Sequence, residues 1–239
     1  MKKLCSFIFL FLLVWGAQSQ VLIKDENAVA RDVAGPFQGI RVSGVIDLIL
    51  AQGDEVALAV SAETASQRED IITEVKDGVL DIHLRSYGMR SKHSSGKMRV
   101  YISFKKLDKI DASGACDIVL QEKVKATQLK LMLSGACSFS GNVEVAELKT
   151  QLSGACNVHL KESSIEKMDA SLSGASSIKS LETVVQSADI NCSGACIVKL
   201  SVEKELKAHA SGACVISYKG NPQILQKSLS GVSSLKKVD

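Results

Sequence analysis

One four-residue phrase, Ser-Gly-Ala-Cys, recurs with small changes seven times, beginning at Ser113, Ser134, Ser153, Ser173, Ser193, Ser211 and Ser230. The steps between copies are 21, 19, 20, 20, 18 and 19 residues. A nearly constant period of this length marks a stacked repeat, in which no single copy can bury its apolar face alone.

The residues around each phrase alternate. With the serine as position zero, minus one holds Ala112, Leu133, Leu152, Leu172, Cys192, Ala210 and Leu229, and plus five holds Ile118, Phe139, Val158, Ile178, Val198, Ile216 and Leu235. Minus three runs Ile110, Leu131, Thr150, Ala170, Ile190, Ala208 and Lys227, whereas minus four is polar throughout, from Lys109 to Gln226. Odd positions therefore face a core and even positions face water, a period of two that belongs to strands. Helical repeats do not fit it. A leucine-rich repeat needs a Leu-x-x-Leu-x-Leu frame and an asparagine ladder, and the chain has neither. What remains is an all-β parallel β-helix (β-solenoid), each copy one coil of about 20 residues, stacked at roughly 4.8 Å per rung.

The chain opens with Lys2 and Lys3, an apolar run from Phe7 to Trp15, and Ala17-Gln18-Ser19. A basic start, a short apolar stretch and small residues before a cut read as a secretory signal peptide over residues 1–19. The run is too short for a membrane span, which takes about 20 apolar residues. Cys5 precedes the run, so it is not placed as a lipidated N-terminal cysteine. Loss of Lys2 and Lys3 takes the formal charge from +3 to +1, which excludes the strong basic excess of a nucleic-acid-binding domain.

Residues 20–36 read as an extended lead-in ending in Gly35-Pro36. Residues 37–104 form an N-terminal β section continuous with the solenoid. Ile40, Val42, Gly44, Ile46, Leu48 and Leu50 sit around Ser43-Gly44 as the later copies sit around theirs, an eighth copy 70 residues ahead of the array. Val56, Leu58 and Val60 alternate as a strand, Thr64 to Asp70 fits a helical turn, and Asp77-Gly78 between strand-like segments signals a tight hairpin. A basic loop from Ser86 to Lys97 follows, then Met98, Val100, Ile102 and Phe104 alternate into the array of residues 105–239. At its far end Lys227 and Lys237 occupy core columns, so the core closes there, because burying an unpaired ammonium is costly. Two residues follow Lys237, so no translocator barrel is expected.

Chemistry is sparse. Cys116, Cys137, Cys156, Cys196 and Cys214 share the plus-three column, with Ser176 and Ser233 in the other copies; Cys192 lies at minus one. An exported chain with six cysteines invites disulfides. Stacked side chains, however, hold Cβ atoms near the rung spacing, beyond the favoured ~3.8 Å, so a column of small buried thiols is the favoured reading. His159 and His209 are three copies apart and point outward, so no metal site is expected. Seven equivalent serines argue against a nucleophile, which is singular and served by one base. Gly114, Gly135, Gly154, Gly174, Gly194, Gly212 and Gly231 instead mark a recurring bend. No cofactor is implied. For a carbohydrate-active enzyme, the alternative reading on this scaffold, Asp111 and Asp117 are the sole carboxylate pair within one copy of the outward plus-four and minus-two columns. Those columns hold no Trp or Tyr for sugar stacking. Tyr87, Arg90, Lys92 and His93 in the basic loop form the candidate binding loop.

The segment Phe37-Gln-Gly-Ile-Arg-Val-Ser-Gly-Val-Ile-Asp-Leu-Ile-Leu-Ala-Gln-Gly-Asp54, with Val79-Leu-Asp-Ile, Val100-Tyr-Ile and Ser113-Gly-Ala-Cys-Asp117 in that order, resembles the putative auto-transporter adhesin family, head GIN domain. The family is exported by Bacteroidetes-type bacteria. The resemblance implies a right-handed parallel β-helix and adhesion at the cell envelope, and transfers no catalytic or ligand positions. The expectation is a non-enzymatic exported solenoid, in the periplasm or at the cell surface, meeting an unknown envelope or host protein or glycan. A purely structural periplasmic protein, self-associating through a solenoid end, is the further alternative.

Overall fold

A computed structural model of the chain describes residues 25–85 and 96–239. The N-terminal section supplies β1 (Val29–Arg31), β2 (Gly39–Gly44), β3 (Asp47–Gln52), β4 (Ala57–Ser61), α1 (Ala65–Asp70), β5 (Ile71–Lys76), β6 (Val79–Leu84) and β7 (Arg99–Phe104). The array supplies β8 (Lys109–Gly114), β9 (Asp117–Leu120), β10 (Val124–Gly135), β11 (Ser138–Gly141), β12 (Val143–Gly154), β13 (Asn157–Leu160) and β14 (Ser164–Leu172). It continues through β15 (Ser177–Gly194), β16 (Ile197–Gly212), β17 (Val215–Lys219), β18 (Gln223–Leu229) and β19 (Ser234–Lys237).

The array is a β-solenoid of stacked parallel coils. Strands before the bend pair in the order β8, β10, β12, β14, β15, β16, β18, and strands after it in the order β9, β11, β13, β15, β16, β17, β19. Like residues meet like: Ser113 pairs with Ser134, Ser134 with Ser153, and Ser193 with Ser211. The minus-three and plus-five columns become continuous buried stacks, Ile110 to Ala208 and Ile118 to Ile216. A third stack, Ala126–Val145–Ile165–Val185–Val202, closes the coil. Between the first and third stacks Thr127 and Gln128 are exposed in succession, and that break in the alternation marks a corner.

The bend itself explains the repeated phrase. Gly135 has φ of 86°, and a Cβ there would sit 2.4 Å from the carbonyl oxygen of Gly114 in the preceding coil. Both the left-handed backbone and the close approach admit glycine alone. That carbonyl in turn accepts the amide of Ala136 at 2.7 Å. Gly154, Gly174, Gly194, Gly212 and Gly231 repeat the contact with the glycine one coil earlier, and Gly114 makes it with Gly44.

The copy at Ser43-Gly44 stacks directly on the first array copy, with Ser43 opposite Ser113 and Gly44 opposite Gly114. Its other side is covered by later sequence: β6 lies parallel to β2 and β7 parallel to β3. The rung of β2 and β3 is thus held between the rungs 79–104 and 109–120, out of chain order, and β7 leads into the array in sequence without pairing to β9. Antiparallel strands complete this end, β5 on β6, and β4 on β7 with β1 outside it. The β5–β6 hairpin turns on Asp77 and Gly78, both with positive φ, the pattern of a type I′ turn. Val56, expected within the strand of Leu58 and Val60, precedes β4 and is exposed, while Ala59 is buried with them. Helix α1 is opened by a capping box of Thr64 and Gln67, and the Arg31 guanidinium donates to the carbonyls of Arg68 and Ile71 at its other end. Asp25 ties the lead-in down by accepting from Tyr101 Oη at 2.8 Å and Arg99 at 3.3 Å.

At the opposite end Lys227 follows Ala208 in the minus-three column and is exposed. Lys237 is exposed too and donates to Asn221 Oδ1 at 3.3 Å. The core closes where the lysines enter it.

Candidate functional site

Outward residues on the strands before the bend line a groove that crosses the coils. Its volume is about 700 Å³. The minus-two column supplies Asp111, Met132, Gln151, Ser171, Asn191, His209 and Ser228, and the serines of the phrase supply most of the second row. Both rows are of even position, so the alternation that buries Leu133, Leu152 and Leu172 below delivers one polar side chain per coil above. Ser173 Oγ donates to the carbonyl of Leu152 at 3.3 Å, so part of the serine row is spent on the scaffold. The lining mixes hydroxyls and amides with the apolar Met132, Leu133, Leu152 and Leu172, and carries one carboxylate at one end and one imidazole near the other.

The two carboxylates picked from sequence do not converge. Asp111 lines the groove and is paired with Lys109 at 3.2 Å, whereas Asp117 lies beyond the Gly114 bend on β9, where Ser138 Oγ donates to it. The carboxylate nearest in effect to Asp117 is Asp47, one coil away in the same outward column. Burial raises the Asp47 pKa, and repulsion from Asp117 adds to the rise, against Lys97 and Arg99. Sequence reading within single copies misses this pair. Extending the plus-four column to the copy at Ser43 finds it.

The plus-three column is more than a row of weak hydrophobes. Cys156 Sγ donates to the carbonyls of Ser153 at 3.3 Å and Gly135 at 3.7 Å, and Cys116, Cys137, Cys196 and Cys214 repeat the pair of contacts on their own serine and on the glycine one coil earlier. Ser176 makes the same bonds through Oγ, at 3.0 Å to Ser173 and 3.2 Å to Gly154. Cysteine and serine interchange because the site needs a small donor. All six cysteines of the described residues are free and buried. Burial pushes the Cys156 and Cys196 thiols up and Cys192 to about 12. Interaction between the neighbouring Cys116 and Cys137 thiols pushes Cys116 up, with burial adding to the rise, and holds Cys137 down. Among the described residues no three His, Cys, Asp or Glu side chains gather as a metal-holding group. Tyr87, Arg90, Lys92 and His93 lie outside the described residues.

Residues 36–222 match the family model described as putative auto-transporter adhesin, head GIN domain. Comparison with curated proteins gives no match. Among solved structures, a putative adhesin from Bacteroides fragilis is 18% identical with a TM-score of 0.72, over 90% of this chain and 98% of that one. A putative adhesin from Parabacteroides merdae is 22% identical with a TM-score of 0.62, over 90% and 97%. A putative lipid binding protein from Parabacteroides distasonis is 18% identical with a TM-score of 0.66, over 90% and 98%. At these identities the likeness is one of fold, and the family match rests on the chain's own residues. The chain belongs to the putative auto-transporter adhesin family with the head GIN domain.

Proposed function

We propose that the protein is a non-enzymatic, exported adhesin that offers the outside of its solenoid to a protein or glycan of the cell envelope or host, from the periplasm or the cell surface. The observation that carries this is the groove. It is built from seven equivalent coil positions rather than around one singular side chain, so it suits an extended contact better than turnover. The segment Lys2 to Ser19 supports export. No helix among the described residues is long and apolar enough to cross a membrane.

Surfaces coated with the protein from Gln20 onward test the reading. They retain host cells or envelope fragments above an albumin coating, and Ser171→Trp, which fills the groove from an exposed position, lowers retention to the albumin level. Equal retention by variant and parent removes the groove from the reading. Retention no better than albumin removes adhesion itself.

A further inference from the structure

On the face after the bend, the outward plus-six column carries three lysines. His159, Lys179, Lys199, Ser217 and Lys236 follow one another coil by coil, with Lys179 opposite Lys199, Lys199 opposite Ser217, and Ser217 opposite Lys236. The His159 Nδ1 contact with the Lys179 carbonyl, 2.7 Å, fixes the head of the line. Lys219 stands two residues along β17. All four lysines are exposed, and among the described residues none of them forms an ion pair.

Three lysines before the bend are treated differently. Lys109 pairs with Asp111, Lys149 with Glu147, and Lys167 with Asp169 at 3.2, 3.2 and 3.6 Å. Like charges opposite one another on neighbouring strands disfavour the fold. Those three ammonium groups each have a carboxylate partner, whereas Lys179, Lys199 and Lys236 share one column with none. The apolar Ile197 and Val215 stand exposed one column over, opposite each other. They give an aliphatic strip beside the cations on which the C–H face of a sugar ring can rest.

We propose that the line of Lys179, Lys199 and Lys236, with Lys219 beside it, docks a linear acidic polysaccharide laid along the stack. A rung spacing of roughly 4.8 Å sets Lys179 and Lys199 one rung apart and Lys236 two rungs beyond Lys199, across Ser217, along a single direction. That geometry fits a linear polyanion, whereas a lipid surface is met by cations spread over two dimensions. The formal charge of the whole chain is only +3, so attraction of a polyanion rests on this clustering rather than on net charge. The surface lies on a different face from the groove, and its failure leaves the adhesion reading standing.

The test measures binding of the purified protein to polygalacturonate and to dextran sulfate at low salt, with neutral dextran as control. The parent binds the polyanions and not dextran, and K179Q/K199Q/K236Q weakens binding by about tenfold or more. The charge-matched variant K109Q/K149Q/K167Q stays within about twofold of the parent, with circular dichroism confirming that both variants are folded. Equal loss in the two triple variants overturns the proposal, since net charge alone then explains binding. Absence of polyanion binding by the parent overturns it as well, as does binding only to phosphatidylglycerol vesicles, which assigns the line to a lipid surface.

Discussion

Ser176 Oγ lies 3.2 Å from the carbonyl oxygen of Gly154, in the place where Cys156 Sγ lies 3.7 Å from that of Gly135. One donor, oxygen or sulfur, closes each bend. Cys156→Ser is therefore expected to change stability by less than about 1 kcal/mol, while Cys156→Ala, which removes the donor and leaves a small void, costs about 1–2 kcal/mol. Urea midpoints of the two variants check the order.

The glycine column predicts a sharper contrast. Gly135→Ala brings a Cβ to 2.4 Å of the Gly114 carbonyl oxygen at a φ of 86°, whereas Gly78→Ala, at a φ of 74°, meets nothing within 4 Å. The first substitution costs about 3 kcal/mol or more, from strain and overpacking together, and the second about 1–2 kcal/mol from backbone strain alone. Denaturant unfolding of both proteins separates the two contributions.

Asp25 and Asp47 titrate with opposite consequences. Burial alone would raise Asp25, but hydrogen bonds from Ser61, Tyr101, the Asn27 amide and Arg99 together hold it below the ordinary carboxylate value. Its contribution to stability is full above about pH 4 and is lost as the pH falls through the lower folded value. Asp25→Asn lowers the urea midpoint at pH 7 and flattens its fall on the acid side. Asp47, raised by burial and then by Asp117, disfavours the fold while ionised. Asp47→Asn raises the midpoint at pH 7, and the gain disappears below about pH 4, where the carboxyl is protonated in both states. Midpoints measured across acid pH check both signs.

The six buried thiols should be silent toward a thiol reagent in the native protein and react together once it is unfolded. Ellman titration of protein beginning at Gln20, before and after guanidinium, checks this. Rapid reaction of even one native thiol would place that cysteine outside the core.

Much of this was legible in the chain because the solenoid repeats its physics. The columns of Ile110 and Ile118 are seen in sequence as alternation and in space as stacks, and Lys227 marks the end of the core in both. The order of the N-terminal rungs was not legible. Val100 and Ile102 show that a strand exists, but parity cannot tell that it pairs with Leu48 and Leu50 rather than with Ile118. The Asp47–Asp117 neighbourhood follows from the plus-four column only once the copy at Ser43 is stacked directly on the copy at Ser113, across 70 residues of intervening chain. The hydrogen-bonding role of Cys156 had a signal, the Ser176 and Ser233 replacements in its column, which a hydrophobic reading of cysteine passes over.

The placement of β2 between β6 and β8 governs how the molecule can be assembled. Gly39–Gly44 finds its two neighbours at Val79–Ile82 and Lys109–Gly114, so neither edge is satisfied until the chain has grown some 40 to 70 residues past it. A polypeptide delivered from its amino end cannot wind up turn by turn as it emerges. The first edge of β2 waits for residues 79–82 and its second for residues 109–114, and from there the remaining turns can be added in the order in which they arrive.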